Sequence, residues 1–216
     1  MGFAAFRPPH PFLLDPIVGR ALEEDLGRAG DITTNLVIPR EARATAVVMS
    51  RRPGTISGMV AVESAYRQID AHLNIHIGVH DGETVPAGTR LAMIEGSARS
   101  LLSAERVALN FLGHLSGIAT ATHDLVTAVE GTGARIVCTR KTTPGLRVME
   151  KYAVRCGGGF NHRFGLDDAV LIKDNHIAAA GGITQAMQRA RASLGHMIKI
   201  ELEVDTLEQL EEALHQ

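Results

Sequence analysis

Cysteine is scarce in this sequence of 216 residues, which contains only Cys138 and Cys156. Two cysteines are too few for the disulfide framework of a small secreted domain. They form no CxxC pair, and none of the ten histidines falls in an HExxH arrangement, so no zinc-ligand spacing is recognisable. We therefore expect two reduced thiols and no metal held by side chains of the protein alone.

Aromatic residues and long apolar runs are also scarce. Tryptophan is absent and aromatic residues make up 4% of the chain, too few to stack a row of nucleotide bases. No run reaches the ~18 uninterrupted apolar residues of a transmembrane helix, and the first twelve residues lack the apolar core of a signal peptide. The composition argues against nucleic-acid and membrane partners and indicates a cytoplasmic protein.

The first half of the sequence has the pattern of a small α+β unit. Short β-branched or alternating runs predict strands, and helical spacing predicts helices. The strands are expected at 44–49, 73–79 and 91–94, and the helices at 60–69 and 101–130. A further helix should open with Asp15 as N-cap and Pro16 in its first turn, whereas residues 31–34 fit either a helix cap or a loop. Functional groups do not cluster here, which favours a lid or interface role.

After Gly133, short apolar runs alternate with helical stretches. The predicted strands cover 134–138, 169–172 and 198–205, and the predicted helices cover 146–156, 184–194 and 206–215. The order βαβαβα implies a parallel sheet or barrel. The sequence therefore predicts an N-terminal α+β domain, an open sheet or sandwich with a linking helix, at residues 1–114. The first part of an α/β barrel of parallel strands should follow at residues 115–216.

Charged residues follow each of these three predicted strands. Between positions 140 and 174, seven cations face four acids in a chain whose net charge is -2. Ligands of parallel α/β folds bind at the carboxyl ends of the strands, so the residues that follow them should converge on one mouth. These residues are Thr139, Arg140, Lys141, Lys173, Glu203 and Asp205. Arginine forks match carboxylates and lysines offer mobile charges, which predicts ligands with more than one kind of anion.

Four blocks of sequence carry a further signal. They are Thr-Arg-Lys-Thr-Thr-Pro-Gly at 139–145, Asn-His-Arg-Phe-Gly-Leu at 161–166, Leu-Ile-Lys-Asp-Asn-His at 171–176 and Glu-Leu-Glu-Val-Asp at 201–205. In this order they resemble the quinolinate phosphoribosyltransferases, also called nicotinate-nucleotide pyrophosphorylases (carboxylating). The resemblance implies a glycosyltransferase of NAD biosynthesis. Such an enzyme joins quinolinate to phosphoribosyl pyrophosphate and gives nicotinate mononucleotide, pyrophosphate and carbon dioxide.

The resemblance also implies roles for the cationic residues. Arg140, His162 and Arg163 would hold the two adjacent carboxylates of quinolinate, because a dicarboxylate needs at least two forked or closely spaced cations. Lys141 and Lys173 would meet phosphate oxygens and act in catalysis. Mg²⁺ would enter as a cofactor bound through phosphoribosyl pyrophosphate, bridging its pyrophosphate group.

Acidic and neighbouring-subunit groups complete the implied site. Glu203, with Asp205 as the weaker candidate, would stabilise the oxocarbenium-like state of the ribose. Thr139 would contact substrate. The block at 103–111 resembles the family segment whose arginine, here Arg106, enters the active site of the neighbouring subunit. This implies a homodimer or higher homo-oligomer in which each N-terminal unit covers the mouth of its partner.

The three predicted βα repeats are fewer than the family's barrel contains. That barrel continues with a further strand-end aspartate and with glycine-rich loops that hold the ribose 5-phosphate, so the resemblance implies a C-terminally truncated member. Two alternatives stay open at this point. One is a non-catalytic truncated fragment that binds anions, and the other is a related phosphoribosyltransferase paralogue with a different substrate, such as nicotinate.

Overall fold

The computed structural model of the chain describes residues 7–216. In chain order the elements are α1 (Pro11–Leu26), α2 (Ile32–Val37), β1 (Arg43–Met49), β2 (Gly54–Thr55), α3 (Met59–Ile69), β3 (Asn74–Ile77), β4 (Thr84–Val85), β5 (Arg90–Ser97), α4 (Ala98–Ala128), α5 (Arg147–Cys156), β6 (Val170–Ile172), α6 (Asp174–Ala180), α7 (Ile183–Ser193), β7 (Ile200–Leu202) and α8 (Leu207–Leu214). The chain divides into two compact units, and the boundary lies between His162 and Arg163. The expectation that the first twelve residues form no signal peptide concerns residues 1–6 in part, and these lie outside the described residues. None of the helices in residues 7–216 is both long and apolar enough to span a membrane.

A three-stranded antiparallel sheet in the order β1-β5-β3 forms the centre of the first unit. Ile94 of the central strand lies opposite Ala46 of β1 and Ile75 of β3. From Ala92 to Ser97, buried and half-buried positions alternate along β5, which is typical of a sheet with one face in the core. That face shares a continuous apolar core with α1, α3 and α4. The strands predicted at 44–49, 73–79 and 91–94 and the helices predicted at 60–69 and 101–130 are confirmed as β1, β3, β5, α3 and α4, whereas the two-residue strands β2 and β4 were not predicted.

Helix α1 begins at Pro11, so its predicted start at Asp15 and Pro16 is wrong. The ring of His10 caps the helix by accepting a backbone hydrogen bond at 3.2 Å. Pro11 occupies the first-turn position that favours proline, whereas Pro16 lies inside the helix. The Asp15 carboxylate instead accepts a hydrogen bond from the Ser64 hydroxyl at 2.7 Å, and this contact ties α1 to α3.

Residues 31–34 begin helix α2, so the helix-cap interpretation of this segment is the right one. Asp31 Oδ1 accepts a hydrogen bond from the backbone N–H of Thr34 at 2.9 Å. Asp31 Oδ2 accepts from the hydroxyl of Ser103 in α4 at 3.2 Å. At the other end of α2, Arg99 Nε donates to the carbonyl of Ile38 at 2.8 Å. Helix α4 thus holds both ends of α2.

Helix α4 also supplies hydrogen bonds to a segment that has little sheet pairing of its own. The Ser116 hydroxyl accepts from the N–H of Ser57 at 3.0 Å and donates to its carbonyl at 3.1 Å. The Thr120 hydroxyl does the same for Thr55 of β2, at 3.0 and 3.4 Å. A hydroxyl is both donor and acceptor, so each one satisfies two backbone groups. The segment from β2 to α3 therefore pairs with a helix.

The strand predicted at 134–138 does not form. Val137 makes a single parallel bridge to Phe160, and no ladder extends from it within residues 7–216. The Val137 side chain is 45% exposed, so the apolar run that predicted the strand is not fully buried. The other two predicted strands are confirmed in shorter form as β6 and β7, which pair in parallel.

The second unit is a small parallel α/β layer. Its apolar core contains Ile172 of β6 together with Ile183, Ala186 and Met187 of α7. Helix α6, between β6 and α7, was not predicted. The predicted fold class, an α+β part followed by an α/β part with parallel strands, is confirmed. The predicted boundary between residues 114 and 115 falls inside α4 and stays a prediction.

The half-buried carboxylate of Asp81 links α3 to α5. Its Oδ1 accepts from the N–H of Met59 at 2.8 Å, and its Oδ2 accepts from the Tyr152 hydroxyl at 3.0 Å. Burial raises the pKa of Asp81 and outweighs the hydrogen bonds that stabilise its charge. Beside them, burial raises the pKa of the Cys156 thiol to about 12, and that thiol accepts a hydrogen bond from Ser57 at 3.3 Å. Cys156 is thus an unreactive thiol of the core, as expected.

We expect Tyr152→Phe to destabilise the fold by about 1–3 kcal/mol, because it removes a hydrogen bond to the half-buried carboxylate of Asp81. Equilibrium urea unfolding of the variant and the parent chain measures the difference. A loss below about 0.5 kcal/mol, the size of an ordinary surface substitution, would show that the Asp81 contact does not fasten α5.

The cap of α2 generates a prediction with a pH dependence. Hydrogen bonds from the Thr34 side chain and backbone, with a smaller one from Ser103, lower the pKa of Asp31 below its usual 3.8. A lowered pKa adds stability that is present above the unfolded-state value and is lost as pH falls through the folded-state value. Asp31→Ala should therefore cost about 1 kcal/mol near neutral pH and progressively less below about pH 4. Asp31→Asn is the matched control, because asparagine caps without titrating. Urea unfolding across pH 3–7 tests both, and a cost of Asp31→Ala that did not change with pH would contradict the assignment.

Candidate active site

Four of the residues predicted to bind substrate follow two adjacent segments at the end of the first unit. The segments touch at the Val137–Phe160 bridge, where Phe160 N–H donates to Ile136 at 2.8 Å and Cys138 N–H donates to Phe160 at 2.9 Å. The two segments run parallel, so both lead away from the bridge in the same direction. Thr139, Arg140 and Lys141 follow the first segment, and His162 follows the second.

Local hydrogen bonds fold residues 139–145 into a compact turn. Thr139 Oγ1 accepts from the N–H of Lys141 at 3.0 Å, and the Arg140 carbonyl accepts from the N–H of Thr142 at 3.0 Å. Lys141 is exposed. Arg140 is half-buried, and its Nε is a buried donor without an acceptor among residues 7–216. Buried donors are costly when unpaired, so this guanidinium is suited to an incoming anion.

Glu150 of helix α5 anchors this turn to helix α4. Its Oε2 accepts from the backbone N–H of Thr143 at 3.0 Å, and its Oε1 lies 2.8 Å from Nε2 of His114. Glu150 is 8% exposed. Burial works against its charge, but hydrogen bonds from Thr143 and His114 outweigh burial and lower the pKa of Glu150. The sequence did not predict the contacts of Glu150, because an acidic residue within a helix is usually exposed to solvent.

In the second unit, Lys173 and Glu203 follow the two paired strands. Ile172 of β6 lies opposite Leu202 of β7, so the next residues share one sheet edge. Lys173 Nζ and Glu203 Oε2 form an ion pair of 2.7 Å, with both side chains about half exposed. The expectation that these strand ends converge is confirmed for this pair. Lys199 lies just before β7, where its carbonyl accepts from Val170 N–H at 3.1 Å at the other end of the strands.

Arg163 and Asp205, the other predicted site residues of this unit, lie in loops. Arg163 Nη1 donates to the carbonyl of Ala169 at 2.8 Å. Arg163 Nε resembles that of Arg140, being a buried donor with no acceptor within the described residues. Asp205 has an exposed carboxylate, and its N–H donates to Gln209 of α8 at 2.7 Å. The predicted residues thus belong to two units, and their convergence on one mouth stays a prediction.

Arg106 lies apart from the turn of residues 139–145. It is exposed on α4, where it lines a cavity of about 1110 Å³ together with Arg51, Glu105 and residues of β1. Neither Thr139 nor any other residue of the turn lines this cavity. Its predicted entry into the active site of a neighbouring subunit is not tested by these contacts and stays a prediction.

Another cavity of the first unit, of about 760 Å³, lies at the wrong end of the parallel segments for a substrate site. Arg135 and Arg155 stack on the Phe160 ring at its wall, 4.9 and 5.0 Å from the ring centre. Residues 133–136, which lead into the bridge, also line it. Ligands of parallel α/β folds bind at the carboxyl ends of strands, so we place the candidate active site beyond the bridge.

Residues 7–216 contain no cluster of three His, Cys, Asp or Glu side chains that could enclose a metal ion. The exposed carboxylates of Glu203 and Asp205 are oxygen donors of the kind that Mg²⁺ accepts. These groups fit an ion that arrives already bound to a phosphate ligand.

Comparison with known proteins identifies one family over nearly the whole chain. Residues 31–116 match the model of the quinolinate phosphoribosyl transferase N-terminal domain, and residues 118–216 match that of its C-terminal domain. The chain is 44% identical over 191 residues to a probable nicotinate-nucleotide pyrophosphorylase [carboxylating] of Bacillus subtilis (strain 168), covering 88% of this chain and 65% of the relative. It is 45% identical over 200 residues to the nicotinate-nucleotide pyrophosphorylase [carboxylating] of Mycobacterium leprae (strain TN), covering 91% and 70%. The chain thus spans about two thirds of the length of these relatives.

Solved structures give the same match. The crystal structure of NadC from Streptococcus pyogenes superposes with a TM-score of 0.93 at 40% identity, covering 97% of this chain and 74% of that one. The nicotinate-nucleotide pyrophosphorylase of Francisella tularensis superposes with a TM-score of 0.91 at 38% identity, covering 98% and 75%.

The Lys173–Glu203 pair generates a stability prediction. Ion pairs between exposed side chains contribute about 0–1 kcal/mol, so Glu203→Gln should change the free energy of unfolding by less than about 1 kcal/mol. Thermal or urea unfolding of the variant checks this, with Glu63→Gln, which breaks an exposed ion pair of α3, as the matched control. A substantially larger loss for Glu203→Gln than for Glu63→Gln would mean that the pair holds β6 and β7 together.

Proposed function

The chain belongs to the quinolinate phosphoribosyltransferase family, and from this premise we propose that it transfers the phosphoribosyl group of phosphoribosyl pyrophosphate to quinolinate. The products would be nicotinate mononucleotide, pyrophosphate and carbon dioxide, a step of NAD biosynthesis. The names of the relatives, nicotinate-nucleotide pyrophosphorylases (carboxylating), support this reaction. Because the chain spans about two thirds of the length of these relatives, the activity and substrates are a proposal.

One observation carries the proposal furthest. Arg140 and Arg163, each in its own unit, present a buried Nε donor without an acceptor among residues 7–216. The structure around each arginine leaves part of a planar fork for a ligand, and the matching ligand for such a fork is a carboxylate or a phosphate. Quinolinate carries two adjacent carboxylates, so a pair of arginines is the minimum that recognises it.

The proposal assigns the quinolinate carboxylates to Arg140, Arg163 and His162, with Arg106 supplied by a partner subunit. Thr139 would contact substrate, and its hydroxyl, which already accepts a hydrogen bond from the N–H of Lys141, would also fix the turn that carries Arg140. Charge-assisted contacts of this kind are about twice as strong as neutral hydrogen bonds, which explains why recognition is assigned to cations.

The phosphate oxygens are assigned to Lys141 and Lys173, and the sugar to Glu203, with Asp205 in a weaker role. Displacing pyrophosphate leaves positive charge on the ribose, which a carboxylate stabilises. In the structure Lys173 pairs with Glu203. A pyrophosphate group would compete for the lysine and leave the carboxylate directed at the sugar.

Decarboxylation needs little more from the protein. Once its nitrogen is alkylated, the pyridine ring is cationic and stabilises the carbanion left by the departing carboxylate. The residues above then contribute orientation and exclusion of water, and no nucleophile or acid-base triad is required. Mg²⁺ bound through phosphoribosyl pyrophosphate would neutralise charge on the leaving pyrophosphate, with Glu203 and Asp205 as available oxygen donors.

Assembly and location are further parts of the proposal. We propose a homodimer or a higher homo-oligomer in which residues 1–114 of one chain cover the site formed by residues 115–216 of its partner. The exposed position of Arg106 on α4 is compatible with that role. A cytoplasmic location agrees with Cys138 and Cys156 being free thiols.

The two alternatives make different predictions in one titration. A phosphoribosyltransferase paralogue for a monocarboxylate would bind nicotinate at least as well as quinolinate, whereas two arginine forks favour the dicarboxylate. An anion-binding fragment without activity would bind quinolinate without forming nicotinate mononucleotide when phosphoribosyl pyrophosphate and Mg²⁺ are added. Calorimetric titration with both acids, followed by chromatography of the products, therefore decides among the three. Binding of neither acid would contradict the proposed function.

We predict that Arg140→Lys weakens quinolinate binding nearly as much as Arg140→Ala, by about 1.5–3 kcal/mol, because lysine keeps the charge but loses the fork. Calorimetry with quinolinate gives the affinities, and urea unfolding checks that each variant is folded. Arg20→Lys, which changes an exposed arginine bonded to its own helix at Pro16, is the matched control and should bind normally. Full retention of affinity in Arg140→Lys would show that the fork is not used.

A further inference from the structure

Lys151, on helix α5, is a lysine in an unusual place. It is 2% exposed, and its Nζ donates to Sγ of Cys138 at 2.9 Å and to the carbonyl of His162 at 3.0 Å. The two acceptors lie on the two parallel segments that lead into the predicted substrate-binding residues. Neither the composition nor the resemblance gave this lysine a role.

Burying a lysine is unfavourable unless its new contacts compensate for the hydration that the ammonium loses. The ammonium gives up its hydration, and the long side chain gives up rotamer freedom. The two acceptors are a thiol and a backbone carbonyl, which offset less of that loss than a carboxylate would. An apolar side chain of similar length would fill the same space without these costs, so packing does not explain the lysine.

The backbone around Lys151 shows what the ammonium adds. The backbones of the two segments pair at the Val137–Phe160 bridge alone within the described residues, with one hydrogen bond on each side of it. A side-chain hydrogen bond from Cys138 Sγ to Asn161 Oδ1, at 3.4 Å, also joins them. Beyond the bridge, at Cys138 and His162, a longer ladder would continue with backbone pairs. Lys151 connects these two positions through its side chain instead. The ammonium of Lys151 therefore links the two segments where further backbone hydrogen bonds are missing, at the end where substrate is proposed to bind.

We infer that Lys151 is a positioning residue for quinolinate, which sets the spacing of the turn after Cys138 against the segment at His162. The inference rests on the proposed function. The residues it positions are Thr139 and Arg140 on one side and His162 itself on the other, whose carbonyl it holds directly. Lys151 acts through these residues and does not itself contact the substrate.

Positioning predicts a selective defect. Lys151→Met keeps the length of the side chain and removes its charge and donors, so the two segments should separate more easily while the core stays filled. Arg140 and His162, two of the residues assigned to quinolinate, follow the two segments. Of the two lysines assigned to phosphate, Lys141 shares the turn with Arg140 but has an exposed side chain, and Lys173 belongs to the other unit. We expect the KM for quinolinate to rise at least about tenfold, and that for phosphoribosyl pyrophosphate by less than about threefold.

The test combines two readouts on the same set of variants. Amide hydrogen exchange at Cys138 and Phe160, the donors of the bridge, reports whether the segments are held together. It should accelerate at least about tenfold in Lys151→Met while exchange in α4 stays unchanged. Steady-state kinetics with each substrate varied in turn report the effect on binding. Lys199→Met, at an exposed lysine before β7, is the matched control and should alter neither readout.

Two further variants keep the result decisive. Cys138→Ser retains an acceptor for the ammonium and should behave like the parent chain in both readouts. If Lys151→Met does not fold, Lys151→Gln, which keeps a shorter amide donor, is measured in its place, with the same effects expected in smaller size. Unchanged exchange at the bridge amides would overturn the inference. Equal rises in both KM values, or faster exchange throughout α4, would overturn it in favour of a general structural role.

The exchange measurement also separates this inference from the proposed function. If the parent protein does not turn over quinolinate, the proposed function fails, yet exchange at Cys138 and Phe160 still decides whether Lys151 joins the segments. If the parent is active and Lys151→Met shows faster local exchange with an unchanged quinolinate KM, the ammonium joins the segments without positioning substrate. That outcome would overturn the inference alone.

Discussion

Parallel pairing of very short strands is the constraint on which the candidate active site depends. It places the residues that follow two neighbouring strands at the same edge, as Lys173 and Glu203 show with their 2.7 Å contact. Pairs this short provide few backbone hydrogen bonds, and the Val137–Phe160 pair consists of one bridge. The arrangement of charged groups must therefore be stabilised by side chains that reach it from other elements.

Helices α4 and α5 supply those side chains. Helix α4 holds α2 through Ser103 and Arg99, and it pairs through hydroxyls with the segment that leads into α3. Helix α5 is fastened to the core by the Tyr152–Asp81 hydrogen bond, and its Glu150 reaches the backbone of Thr143. The α+β part thus fixes α5, and α5 in turn fixes the turn that carries the proposed substrate contacts. Helix α5 therefore contributes both to the stability of the fold and to the position of the proposed substrate contacts.

The periodicity of the sequence predicted strands and helices, which depend on neighbouring residues. It did not predict contacts between residues that are distant in sequence. The strands β6 and β7, and hence the contact between Lys173 and Glu203, follow from short apolar runs and the rule for parallel strands. The burial of Glu150 could not be predicted, because its partner His114 lies on another helix. The strand predicted at 134–138 is reduced to one bridge, and Val137 in it remains 45% exposed, although its apolar pattern predicted a buried strand. The start of α1 was predicted wrongly because Pro11 and Pro16 both fit the preference for proline in the first turn of a helix.

The placement of arginines and lysines gives a physical reason for the proposed division of labour. Arg140 and Arg163 are half-buried with a buried Nε, so each guanidinium offers donors in a nearly fixed plane. Lys141 is exposed, and Lys173 is about half exposed in an ion pair with Glu203, so neither ammonium is fixed by burial. A rigid planar dicarboxylate is best recognised by fixed forks, whereas a flexible pyrophosphate that must enter and leave is better met by mobile charges. If the arginines and lysines exchanged positions, the protein would discriminate less between quinolinate and pyrophosphate. The rigidity of the arginine side chains, more than the number of charges, therefore supports quinolinate as the proposed acceptor.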